Sequence, residues 1–332
     1  GCARSTVKET YEFILGDLNK AIELLANTKK TRSDKRYVSL DVAYGIRARV
    51  HLTMHNYADA LKDAEAALAS TSSVPYSSAA VSKPTFIDIE DASWMWGILI
   101  TDKDRVSTTG ICNFPSHMGS LNYGYASVGG WRRISPKLYN QIPESDVRKG
   151  WFLDDTGVSV NLPAAAQAYI TKKGAPVYTQ VKYGPMNDEW GSNNNATDVI
   201  LMRVEEMYLI KAEAQAMNND VSGGVNTLNS FVNTYRDPSY KCTATTGEAV
   251  QEAVWHQRRI EFWGEGLAYF DIMRLNKGVN RLGCGFPKTA VFNIAAGDPV
   301  QIYSIPNKEV QYNPLLENNP LVSAPTPIPD EE

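Results

Sequence analysis

The 332-residue chain is 43% hydrophobic, enough to bury a substantial core, and its 33 basic and 37 acidic residues leave a formal net charge of −4. Charges of both signs are interspersed and the pI is near 5.7, which argues against a phosphate-backbone partner, so no nucleic acid is expected. No apolar run approaches the ~20 residues needed to cross a bilayer, and the composition fits neither disorder nor collagen.

Cys2 follows only Gly1 and precedes a helix-start pattern, so it is expected to be an ordinary cysteine and not a lipid anchor behind an apolar leader. Between Thr6 and Leu25, apolar residues at Val7, Tyr11, Ile14, Leu18, Ile22 and Leu25 recur every three or four positions, which predicts an amphipathic helix. A second helix begins near Leu40 with Ala43, Ile46, Val50 and Met54 on one face, breaks at His55-Asn56, and resumes from Tyr57 to Ala69 with Leu61, Ala64 and Leu68 on its face. Residues 40–70 therefore have roughly the 34-residue length of a tetratricopeptide helix-turn-helix. Tyr44, Ala48, Ala60 and Ala67 supply the bulky and small side chains that let two antiparallel helices approach closely.

From residue 71 to 198 the character changes to Ser, Gly, Asn, Pro, Tyr and Trp, with short strand-like runs such as Trp94 to Thr101. Trp94 and Trp96 alternate on that run, so they are expected to point to one side, into the core. A loop-rich insertion this long is uncommon in a compact protein unless it serves function, so the ligand face is placed there. Helices then follow from Val199 to Met217, from the spacer Ser222-Gly223-Gly224 to about Arg236, and from Glu248 to Trp263. The reading is one domain over 1–332: a helical scaffold in 1–70 and 199–276, the insertion in 71–198, an irregular segment in 277–323 and a flexible tail in 324–332. That tail carries Pro325, Pro327, Pro329 and Asp330-Glu331-Glu332.

Motifs of catalysis are missing: there is no H-E-x-x-H, no G-x-S-x-G and no glycine-rich phosphate loop. The cysteines at 2, 112, 242 and 284 are too dispersed for a metal or redox motif, and His51 and His55 fall in the tetratricopeptide-like turn, where packing explains them. Asp102 and Asp104 echo a calcium loop, yet Val106 and Asn113 stand where oxygen ligands are needed. Glu261 and Glu265 lie one helical turn apart, but Arg258, Arg259 and Arg274 nearby favour ion pairing over acid–base chemistry. Glu206, Glu213, Glu261 and Glu265 are accordingly expected to be structural, held by arginines such as Arg203 and Arg258. No catalytic residue, metal or cofactor is expected.

Seven Trp and seventeen Tyr remain as the carriers of function. A sugar presents C–H bonds on one face and hydroxyls around its rim, so its capture needs a flat aromatic platform beside amide, carboxylate or guanidinium groups. Asn122-Tyr123-Gly124-Tyr125, followed by Gly129-Gly130-Trp131-Arg132, supplies both in a Gly-rich loop. The stretch from Tyr183 to Asn195 supplies both again through Asp188, Trp190, Asn193 and Asn194. The expected ligand-binding set is therefore Asn122, Tyr123, Tyr125, Trp131, Arg132, Tyr183, Asp188, Trp190, Asn193 and Asn194, with Trp131 or Trp190 as the platform.

Four segments in order carry a family resemblance. Thr6-Val7, Tyr11, Ile14, Asp17-Leu18 and Ala21 match an opening helix, and Arg203, Glu206, Tyr208, Leu209, Ala212 and Glu213 match a second. Arg258, Arg259, Glu261, Glu265, Gly266, Asp271 and Arg274 match a third segment, and Ile305-Pro306, Glu309, Asn313-Pro314, Leu316 and Asn319-Pro320 match the ending. Together these resemble the SusD/RagB family of nutrient-binding outer-membrane lipoproteins of Bacteroidetes. Glu205, Gln257, Ala268 and Asn318 depart from that pattern. The resemblance implies a mostly α-helical fold of tetratricopeptide-like helix pairs and capture of oligosaccharide without catalysis. It further implies a lipid anchor on the outward-facing surface of the outer membrane and delivery to a SusC-like TonB-dependent transporter. Family members carry an N-terminal region of further helices, so this chain is expected to be the C-terminal two-thirds of such a protein. Peptide capture of the RagB kind and a helical-repeat interaction scaffold are the alternatives.

Overall fold

The computed structural model describes residues 1–28, 32–105, 107–108 and 113–328. Helix α1 (Val7–Asn27) starts at a capping box, in which the Thr6 hydroxyl accepts from the Glu9 backbone N–H and the Glu9 carboxylate accepts from the Thr6 N–H. Helices α2 (Leu40–Thr53) and α3 (Tyr57–Ser70) are separated at His55, whose φ of 60° is left-handed and stops the helical ladder. They pack on one another with Ala48, Ala60, Ala64 and Ala67 fully buried in the shared cluster, and Arg47 of α2 is paired with Asp63 of α3 at 2.6 Å.

The insertion is built from short elements: α4 (Ser78–Val81), β1 (Trp94–Ile98), α5 (Phe114–Met118), α6 (Pro136–Tyr139) and α7 (Ala164–Lys172). It ends on β2 (Val199–Arg203), where a helix is expected from the sequence; the helix α8 begins only at Val204 and runs to Met217. Strands β1 and β2 pair antiparallel, Trp94 opposite Arg203 and Ile98 opposite Val199. The register slips on both sides of Trp96, and this irregularity breaks the expected alternation. Trp94 lies fully buried with Tyr76, Phe86 and Trp151, whereas Trp96 packs half-buried in a different cluster against α2 and α8.

Helix α9 (Val221–Tyr235), by contrast, begins earlier than expected. The Asp220 carboxylate accepts from the Gly223 N–H, so Ser222-Gly223-Gly224 is the first turn of the helix and not a spacer. A Cβ on Gly224 would sit 2.6 Å from the Ala212 carbonyl oxygen, which is why α9 can lie so close on α8. Helix α10 (Gly247–Glu261), capped by Thr246, packs on both α8 and α9 and ends two residues before Trp263. Helix α11 (Ala268–Arg274) follows, then the two-residue strands β3 (Val279–Asn280) and β4 (Asn293–Ile294), and α12 (Asn307–Tyr312) in otherwise irregular chain.

The result is mostly α-helical. Helix α1 lies on α2, α2 on α3 and α3 on α8, a stack of tetratricopeptide-like pairs with the loop-rich insertion at its side. Val106, Cys112, Pro329 and Asp330-Glu331-Glu332 lie outside the described residues. No helix among the described residues is long and apolar enough to cross a membrane.

Candidate functional site

A closed lattice of buried charge fixes the insertion to the helices. Arg203, at the end of β2, reaches Glu261 at 3.0 Å, Glu265 at 2.8 Å and Glu205 at 3.1 Å. Arg236 joins Glu261 at 2.8 Å and Glu205 at 3.2 Å. From the insertion come Arg148, which holds Asp146 at 2.6 Å and Glu261 at 3.3 Å, and Lys182, which holds Glu265 at 2.6 Å. Four cations thus meet four carboxylates, all buried except Glu265, whose side chain is nearly so, and the charge closes within the cluster.

Two carboxylates of this lattice, Glu261 and Glu265, are held ionised by the cations around them. Burial alone would raise the Glu261 carboxyl, but Arg236, Arg203 and Arg148 outweigh it and hold it well below the usual range. Glu265 is lowered in the same way by Arg203 and Lys182 against its burial. Burial pushes the Lys182 ammonium down to about 8 even with Glu265 opposing. A second lattice pairs Glu206 with Arg49 and Arg258, Glu213 with Arg274, and Asp271 with both Arg258 and Arg274. Glu206, Glu213, Glu261 and Glu265 are therefore structural. Arg148 and Lys182 were invisible as partners in the sequence, because each lies far along the chain from the helices it serves.

The two aromatic stretches, some sixty residues apart in the chain, are tied into one surface. The Tyr123 N–H donates to the Ser192 carbonyl at 2.7 Å, and the Gly191 N–H donates to the Leu121 carbonyl at 2.8 Å. The Asn195 amide donates to the Tyr123 carbonyl at 3.1 Å and accepts from the Asn122 amide. Beneath them Leu121, Leu153, Ala166, Ile170 and Val181 form a small satellite core. Trp131 and Trp190 both pack half-buried against that core, with Tyr169 beside them. Gly191, at φ 85°, leaves room for the Tyr169 ring, which would lie 2.6 Å from a Cβ there.

The expected site residues divide between surface and support. Tyr123 is 47% exposed and Tyr125 is 43% exposed. Tyr123 has the Lys173 ammonium 5.6 Å from its ring centre, and Tyr125 stacks on His117 at 4.7 Å with the Arg132 guanidinium over its ring at 5.7 Å. Trp190 and Asp188 line a cleft of about 390 Å³ together with Ser82, Lys83, Val160 and Asn161. Asn187 and Asp188 both hold left-handed backbone, which Asn and Asp tolerate better than most residues. Asn193 is exposed, and Asn194 accepts from the Ala196 N–H.

Two of the expected contacts belong to the interior. Asn122 is buried and works as part of the tie between the loops. Tyr183 lies in the main core, edge-on to Phe86, with its hydroxyl directed to the Trp263 carbonyl. Lys182, between Val181 and Tyr183, is likewise buried and reaches Glu265 in the charge lattice. Lys83 and His117, which the sequence did not single out, lie exposed and half-buried beside the expected aromatics, and the buried Asn161 lines the Trp190 cleft. Among the described residues, no group of three or more His, Cys, Asp or Glu side chains is placed to hold a metal ion.

The model of the SusD family matches residues 148–321 of this chain. A SusD superfamily protein of Bacteroides thetaiotaomicron superposes with a TM-score of 0.75 at 23% identity, over 96% of this chain and 67% of its own. A SusD-like carbohydrate binding protein of Bacteroides vulgatus gives 0.68 at 24%, over 93% of this chain and 57% of its own. A further SusD superfamily protein of Bacteroides vulgatus gives 0.71 at 21%, over 96% and 66%. This chain thus spans from a little over half to two thirds of the length of these structures. No curated protein matches.

Proposed function

This chain belongs to the SusD family, and from that membership we propose that it captures oligosaccharides without altering them chemically. The single observation that supports this most is the joining of the 119–132 and 183–195 loops into one surface. There, four rings of different exposure, Tyr123, Tyr125, Trp131 and Trp190, stand beside Asp188, Lys83, Asn161 and Arg132. Such a surface offers flat apolar faces for the C–H side of a sugar and fixed donors and acceptors for its hydroxyls. One relative, described as a SusD-like carbohydrate binding protein, is consistent with that reading.

In this proposal residues 71–198 carry the ligand, and the helical scaffold of 1–70 and 199–276 faces a SusC-like TonB-dependent transporter that receives it. The full-length protein sits on the outward-facing surface of the outer membrane through a lipid anchor. The carboxylate pair Glu261 and Glu265, occupied by Arg148, Lys182, Arg203 and Arg236, supports a role in binding only.

The test is calorimetric titration of neutral oligosaccharides and of peptides into the intact chain and into Trp131→Ala and Trp190→Ala. Losing a central aromatic anchor is expected to weaken oligosaccharide binding by about thirtyfold, roughly 2 kcal/mol. Unchanged affinity in both folded variants, peptide binding that exceeds glycan binding, or release of cleaved product that survives repurification would each overturn the proposal.

A further inference from the structure

A separate cleft, about 480 Å³, opens between α10 and the irregular chain after α11. Trp255 and Arg259 enter it from α10, Lys137 from α6, and Arg281 and Phe286 from the segment after β3. It shares no lining residue with the Trp190 cleft. Among the described residues no Asp or Glu lines it. In a protein whose other buried cations are matched carboxylate for carboxylate, that imbalance stands out.

Arg259 shows it most clearly. Its guanidinium rests on the Trp255 ring, 4.9 Å from the centroid, and among the described residues it has no carboxylate within ion-pair distance. Burial lowers its basicity, with Glu252 opposing only through its field, because the Glu252 carboxylate is held by Lys277 at 2.5 Å. The indole N–H of Trp255 is buried and has no acceptor among the described residues. Arg281 is fixed between the Phe286 and Phe292 rings, 4.7 and 4.1 Å from their centroids. Three cations and an indole N–H are gathered here with no carboxylate among the lining residues, and a buried donor left unmatched is costly.

We infer that this cleft binds the carboxylate-bearing residue of an acidic glycan. The carboxylate meets Arg259 and the Trp255 indole N–H, the sugar ring lies against Phe286 and Ile272, and its hydroxyls reach Gln141 and Asn280. The volume suits a sugar residue and not a bare ion, since small-molecule sites measure roughly 300–1,000 Å³. The sugar part of this inference rests on the glycan reading above; the carboxylate part stands on the charge imbalance alone.

The experiment is calorimetric titration of the intact chain with glucuronic acid, glucose and sodium acetate. Glucuronic acid is expected to bind, with glucose and acetate at least about tenfold weaker, and added salt should weaken it. Arg259→Gln is expected to lower its affinity by about tenfold or more, and Trp255→Phe, which keeps a ring but removes the N–H, by several-fold. Lys137→Gln, at an exposed rim position that folding does not depend on, should give a smaller loss. Trp190→Ala should leave glucuronic acid binding unchanged, so this site can fail or stand separately from the neutral-sugar face. The inference is overturned by absence of glucuronic acid binding to wild type, by acetate binding equally well, by unchanged affinity in Trp255→Phe and Lys137→Gln, or by loss of binding in Trp190→Ala.

Discussion

The two parts of this molecule solve opposite problems with similar side chains. At the seam between the helical framework and the insertion, Arg148, Arg203, Arg236, Lys182 and their carboxylates are buried or nearly so, and each charged group has at least one partner of opposite sign. On the insertion surface, Lys83, Arg132 and Asp188 stand in or near solvent beside half-buried or exposed rings. The first arrangement is over-determined, because removing one partner strands the others in a medium of low polarity. The second leaves side chains replaceable one at a time. Stability and binding should therefore separate by region, and the following outcomes test how cleanly.

The largest effect is expected from acid. The folded carboxyl pKa values of Glu261, Glu265 and Asp271 are lowered by their cations in spite of burial. A carboxylate lowered in the folded state contributes stability that is fully present above its unfolded value and is lost as pH falls below it. With ordinary values of 4.5 for Glu and 3.8 for Asp, the loss begins as pH drops through the mid-fours and grows below. Thermal melts from pH 7 to pH 3 should show a steep fall, and a flat profile would contradict the lattice. Next in size, Glu261→Gln leaves Arg148, Arg203 and Arg236 short of charge and should cost about 3–5 kcal/mol in denaturant unfolding. It should also shrink the acid effect, because one of the responsible groups is gone.

Asn195 lies where the two regimes meet. Its buried amide serves the Asn122 amide, the Tyr123 carbonyl and the Asn193 carbonyl at once. Asn195→Ala should cost roughly 1–3 kcal/mol, from the buried polar groups left without partners. It should also weaken oligosaccharide binding while Trp131 and Trp190 remain in place, because it loosens the tie that brings their loops together. Loss of stability with unchanged binding would show that the surface does not depend on the tie.

Periodicity made the scaffold legible. Repeats of three and four placed α1, α2 and α3 within a residue or two of their observed ends, because one face of each helix is buried and the other is wet. It failed at Val199–Arg203, where a half-buried strand runs straight into α8 with no side-chain cap at Arg203 and so reads as helix. It failed again at Trp96, since nothing in the composition of a strand announces a slip in register. On the insertion, aromatic and amide composition marked the two loops but not their junction. That junction runs mainly through backbone groups and two asparagines, Asn122 and Asn195, which carry no pattern of their own. Lys182 and Tyr183 show the converse: a polar-looking stretch can be interior when a distant carboxylate, here Glu265, draws its lysine inward.

Tyr123→Ala offers the finest test of the division. The ring is 47% exposed, its backbone N–H and carbonyl make the inter-loop bonds, and its side chain contributes only a surface and the nearby Lys173 charge. Because the substitution keeps both backbone bonds, unfolding free energy should change by no more than about 0.5 kcal/mol. An exposed stacking ring outside the central platform should still contribute a few-fold to oligosaccharide affinity, roughly 0.5–1 kcal/mol. The comparison with Asn195→Ala is then direct: one variant removes a ring and keeps the tie, the other removes the tie and keeps every ring. If Tyr123→Ala destabilised the protein as much as Asn195→Ala, the exposed ring would be part of the framework, and the separation of stability from binding would not hold at this surface.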